Sequence, residues 1–64
     1  MREDVINRII QRRELMSISK LEMSKRVGVS YFGYRRMEDG ENVGIDILFK
    51  SLEVLGLEIN LKAT

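Results

Sequence analysis

Residues 19–40 read SKLEMSKRVGVSYFGYRRMEDG, and the fold turns on this stretch. Ser19 is an N-cap residue type with Glu22 three places on, a capping box, while Ile18 and Met23 stand at the two positions of a hydrophobic staple. These signals predict a helix over 19–27, closed by Gly28 because glycine takes the left-handed conformation at little cost. A second start follows at once: Ser30 is the cap, and Val29 with Tyr34 makes another staple. Tyr34 and Met37, three residues apart, then share one buried face of a helix over 30–38 that Gly40 ends. Gly33 inside that helix costs about 1 kcal/mol relative to alanine, which predicts either the close approach of another group or a kink.

Outward from this pair, residues 3–15 (EDVINRIIQRREL) place Val5, Ile6, Ile9 and Ile10 at helical spacing. Glu3 and Asp4 in the first turn and Arg12 and Arg13 in the last complement the helix dipole. Residues 45–55 (IDILFKSLEVL) repeat Ile45, Leu48, Phe49, Leu52 and Leu55 at three- and four-residue steps. Gly44 is the expected N-cap there, Val43 and Leu48 the staple, and Gly56 the stop. In the tail, Leu57, Ile59 and Leu61 alternate with Glu58, Asn60 and Lys62, the period of a half-buried strand over 57–62. The chain holds no second strand to pair with it. Either it pairs with its own copy across a two-fold axis, making Leu57, Ile59 and Leu61 a dimer interface, or the tail frays or packs on its own helices. The expected class is all-α, four helices and one short C-terminal strand in a single domain over 1–64.

Composition narrows the function. A 64-residue chain buries only about 60% of the surface it exposes when unfolded, so its core is marginal. It has no cysteine and no histidine, which excludes disulfides and removes the best zinc ligands, the commonest nucleophile and the commonest general base. The expectation is therefore a binding protein and not an enzyme, with no metal or cofactor, stapled by self-association. No run approaches the ~18 apolar residues of a membrane span, and Met1-Arg2-Glu3-Asp4 does not open a signal peptide, so no membrane partner and a cytoplasmic location are expected. Net charge is only +1 but unevenly placed: residues 12–36 hold seven Lys/Arg against Glu14 and Glu22, net +5. Such a basic zone suits an anionic partner gripped by one face, or is an ordinary solvated surface.

Two short helices joined by a glycine turn are the signature of a helix-turn-helix. The run from Ser19 to Gly40 resembles the Cro/cI-type family, also called XRE or lambda-repressor-like, whose loose pattern is S-Q-x-x-L-A-x-x-x-G-V-S-x-x-x-I-x-x-x-E-x-G. Ser19, Met23, Ser24, Gly28, Val29, Ser30, Tyr34, Glu38 and Gly40 occupy matching places. VGIDILFKSLEVLG is similar to that family's fourth helix, and the tail resembles the dimerising end of HipB-like antitoxin regulators. The resemblance implies a lambda-repressor-like bundle that binds double-stranded DNA as a homodimer. It implies a phosphate contact at Lys20, where the family has glutamine. It implies base reading from the start of the second helix of the pair, at Ser30, Tyr31, Phe32 and Gly33, with Arg35 and Arg36 next outward, and backbone contacts near Gly40, Glu41 and Asn42.

The departures from the pattern matter. Tyr31 and Phe32 cannot make the bidentate contact that glutamine makes to adenine; both suit packing on thymine methyls, Tyr31 also suits donation to a phosphate or base edge, and Phe32 alternatively contacts a protein. Arg36 is the best base reader, since bidentate Arg to guanine is the commonest specific contact, whereas Arg35 and Lys20 suit phosphates. Asp39 and Glu41 repel phosphate. Arg12, Arg13 and Arg26 read as solvated face, and Met16, Met23 and Met37 as core fillers. The leading expectation is a dimeric transcriptional regulator, most simply a repressor, on a near-palindromic operator. The alternatives are an antitoxin that binds a toxin and regulates its own operon, or a protein-interaction module.

Overall fold

A computed structural model describes residues 2–41 and 43–57. Among them the chain is all-helical: α1 (Arg2–Leu15), α2 (Lys20–Val27), α3 (Tyr31–Glu38) and α4 (Ile45–Val54). Each helix lies within a residue or so of its expected span, with Ser19, Ser30 and Leu55 serving as caps just outside the helical run. The serine caps form as predicted, but the return half of the capping box does not: the Glu22 carboxylate accepts from Arg26 Nε instead of the Ser19 N–H. Ser19 Oγ accepts from Glu22 N at 3.0 Å, and Ser30 Oγ accepts from Gly33 N at 3.0 Å.

The core gathers one stripe from each helix. Ile6 and Ile9 come from α1, Met23 and Val27 from α2, Tyr34 and Met37 from α3, and Leu48 and Leu52 from α4, joined by Ile18 and Leu55. α2 packs most extensively on α3, and both α1 and α4 back onto that pair. Two serines lie in this apolar interior. Ser24 donates to the Leu21 carbonyl and Ser51 to the Ile47 carbonyl, both at 2.6 Å, so each hydroxyl is satisfied within its own helix.

Two expectations are corrected. Met16 is exposed rather than a core filler, because α1 has already ended and the chain turns away from the core at Ser17. Ile45 and Phe49 are also exposed, at 59% and 47%: the apolar repeat of α4 is wider than the stripe its neighbours can cover. Leu57, where the expected strand begins, also closes α4. Its N–H donates to the Leu52 carbonyl at 2.8 Å, and its side chain packs partly against the core. The rest of the expected strand, with Ile59 and Leu61, lies outside the described residues.

All four helices end in one hydrogen-bonding pattern, in which an N–H five residues along closes back on a carbonyl of the last turn. The pairs are Ile18 N to Arg13 O, Val29 N to Ser24 O, Glu41 N to Arg36 O and Leu57 N to Leu52 O, all between 2.8 and 3.0 Å. The pattern needs a left-handed residue just before the donor. Gly28, Gly40 and Gly56 supply it with φ of 86°, 82° and 68°, but after α1 the position belongs to Ser17, at φ 57°. A residue with a Cβ is strained there by roughly 1–2 kcal/mol. Ser17→Gly is therefore expected to stabilise the domain by about 1 kcal/mol, raising Tm by about 4–8 °C in a thermal melt followed by circular dichroism. An unchanged or lowered Tm would show that Ser17 is not strained.

Candidate nucleic-acid interface

The geometry of α3 begins with the element it is anchored to. Arg13 ends the stripe that Ile6 and Ile9 begin on α1, and Glu38 ends the stripe of Tyr34 and Met37 on α3. The two side chains meet in the interior. Arg13 Nε donates to Glu38 Oε2 at 2.7 Å and Nη2 to Oε1 at 3.1 Å, a fork-on-fork ion pair with both side chains under a tenth exposed. Arg13 Nη1 also donates to the Ile18 carbonyl at 2.9 Å. One guanidinium thus ties the end of α1, the approach to α2 and the end of α3. Arg13 is not part of a solvated face; its seven-residue spacing from Ile6 was the available signal. Tyr34 is fully buried beside the pair, and its hydroxyl makes no hydrogen bond of full geometry. Burial first, and the Glu38 carboxylate second, push the phenol above its ordinary pKa of 10.0, while the cation of Arg13 opposes them.

With Tyr34, Met37 and Glu38 turned inward, the other side of α3 faces solvent. Tyr31, Phe32, Arg35, Arg36 and Asp39 are exposed there, Phe32 most of all at 70%. Tyr31 and Phe32 rest edge to face, with centroids 5.7 Å apart at 69°. Arg35 Nε lies 3.8 Å from Asp39 Oδ2, one turn along, so part of its charge is already balanced. Among the described residues Arg36 has no ion pair or side-chain hydrogen bond, which makes it the uncompensated cation of this helix. Phe32, Arg35, Arg36, Asp39 and Glu41 line one shallow depression.

The structure therefore brings Tyr31, Phe32, Arg35 and Arg36 onto one face. Lys20, half-buried, opens α2 directly after its cap. Ser30 is exposed; its hydroxyl oxygen caps α3, and its proton is still available to donate. Asn42 lies outside the described residues. Of the remaining cations, Arg12 is exposed, and Arg26 pairs with Glu22 at 3.1 Å on the surface, an arrangement of at most a few tenths of a kcal/mol. At Gly33 a Cβ would stand 3.2 Å from Ser30 Oγ. The equivalent cap at Ser19 accommodates the side chain of Glu22, so the fold itself does not demand this glycine. Among the described residues there is neither a helix long and apolar enough to cross a membrane nor a cluster of His, Cys, Asp and Glu able to hold a metal. No protein-family model, curated protein or solved structure significantly matches the chain.

Two outcomes follow from the buried anchor. Glu38→Ala leaves the Arg13 cation buried without its partner and is expected to cost about 3–5 kcal/mol in urea unfolding. Replacing both, Arg13→Met with Glu38→Leu, is expected to recover most of that loss; a double variant no better than Glu38→Ala would mean that the charges themselves hold the fold. Tyr34, whose folded pKa is raised, favours the neutral phenol. Its contribution is intact below pH 10 and is lost as pH rises through the folded value. Unfolding free energy at alkaline pH should fall faster for the native chain than for Tyr34→Phe, by at most about 1.4 kcal/mol per pH unit, and parallel curves would refute this.

Proposed function

We propose that the chain is a sequence-specific, double-stranded-DNA-binding transcriptional regulator, in which α2 and α3 form a helix-turn-helix and α3 enters the major groove. One observation carries the reading: a short helix, pinned from behind by a buried ion pair, presents two arginines on its free face. The major groove of B-DNA admits a single helix of this kind. In this reading Arg36, unpaired and outward, forks onto a guanine. Arg35, half-balanced by Asp39, and Lys20, at the start of α2, meet phosphates and set the register. Ser30 donates its proton, Tyr31 offers its hydroxyl, and Asn42 belongs with the backbone contacts that follow α3.

The operator is expected to be near-palindromic and the protein a homodimer, paired through residues 57–62, with half-sites about 34 Å apart. Leu57, the first residue of that span, borders an exposed face formed by Arg8, Gln11, Arg12 and Leu15. The activity is binding, so neither cofactor nor metal is required. The exposed aromatic pair also favours a second reading, in which the same fold binds a protein such as a toxin and contacts DNA only to regulate its own operon.

Binding of the whole chain to a pool of random duplexes, measured over a range of salt, tests the reading. Affinity is expected to fall steeply with salt as counterions leave the phosphates, and Arg35→Ala with Arg36→Ala to abolish selective binding. Arg36→Ala alone should cost about 5- to 150-fold, the value of one bidentate base contact. Asp39→Asn, which removes a carboxylate from the face and frees Arg35, should tighten binding. No affinity for duplex DNA even at low salt would sink the proposal and turn the search to a protein partner.

A further inference from the structure

The geometry points to Phe32 as a reader of thymine, through the 5-methyl group that thymine alone presents in the major groove. This inference rests on the DNA-binding reading above and assigns it a base preference. Phe32 stands at the middle of the free face of α3, opposite Tyr34 and Met37, in the first turn of the helix, and it is 70% exposed. A phenyl group left in water at that position is a cost to the isolated protein, and it offers no hydrogen bond to a base edge. The one apolar feature among base edges in the major groove is the thymine methyl.

Four neighbours suit Phe32 to that contact. Tyr31 braces the ring edge to face, which limits the freedom lost when it docks. Gly33, which the fold does not require, adds no side chain beside it and lets the first turn of α3 come close to the groove floor. Arg35 and Arg36 lie on the same depression as Phe32, with Asp39 and Glu41 at its edge; Asp39 offsets Arg35, so what meets the ring also meets the unpaired cation of Arg36. An apolar protein surface would gain nothing from the unpaired charge of Arg36, whereas a duplex supplies methyl groups and anionic phosphates side by side. A half-site therefore carries thymine adjacent to the guanine read by Arg36.

The test uses the full chain and the tightest duplex recovered from the random pool. Each thymine of that duplex is replaced singly by deoxyuridine, which removes only the methyl group and leaves pairing unchanged. One or two positions per half-site are expected to weaken binding about three- to fourfold for each methyl lost. Phe32→Ala, at an exposed position that leaves the core untouched, should bind the thymine duplex more weakly and be indifferent to deoxyuridine at those same positions. Equal affinity for the thymine and deoxyuridine duplexes overturns the inference while leaving the DNA reading intact. So does a Phe32→Ala variant that keeps the sensitivity of the native chain. If the native chain binds no duplex at all, both readings fall together.

Discussion

The ion pair between Arg13 and Glu38 is the constraint on which the rest of the domain depends. It is buried, forked and shared with the Ile18 carbonyl, so it fixes the ends of α1 and α3 and the approach to α2 at a single point. Such a pair gives little net stability, because desolvating two charges nearly cancels their attraction. Its value lies in direction. An apolar contact tolerates sliding, whereas a guanidinium forked on a carboxylate tolerates only one arrangement. α3 is therefore held in one rotational setting, with Tyr34 and Met37 inward and Phe32 and Arg36 outward.

Around that point the fold is economical. The core is a single cluster drawn from every helix, and the connections are short because each helix end closes on itself within two or three residues. Repeating the same closure at all four ends satisfies the last carbonyls of each helix inside the chain, which a small domain with a marginal core needs. The one costly instance is Ser17, placed where glycine serves elsewhere. It lies next to the Ile18 carbonyl that Arg13 holds, so the strained residue sits beside the buried ion pair.

The free face of α3 combines an unpaired arginine, an arginine already matched with a carboxylate, and an aromatic pair in water. In the proposed DNA complex these become different kinds of contact. Arg36 supplies hydrogen bonding, Arg35 supplies charge, and Phe32 supplies apolar surface. The acidic residues at the edge of the face, Asp39 and Glu41, oppose indiscriminate binding to phosphate. A protein with net charge of only +1 then depends on base contacts more than on bulk attraction.

How much of this was legible in the sequence depends on the range of the forces involved. Helix positions, caps and stops are set by interactions within a few residues. Ser19 with Glu22, Ser30 with Gly33, and the glycines at 28, 40 and 56 were accordingly legible from spacing alone. The outward placement of Tyr31, Phe32, Arg35 and Arg36 followed in the same way, since Tyr34 and Met37 declare the opposite face. What only the tertiary structure decided involves residues far apart in the chain. Arg13 and Glu38 are 25 residues apart, and each taken alone looks like an ordinary surface charge. Ile45, Phe49 and Met16 look like core until the number of neighbours able to cover them is known. Local hydrogen bonding and periodicity state where a helix lies and which way it faces. Whether a given side chain is covered, and by what, is settled only when the helices meet, because burial is a property of the partner surface as much as of the residue.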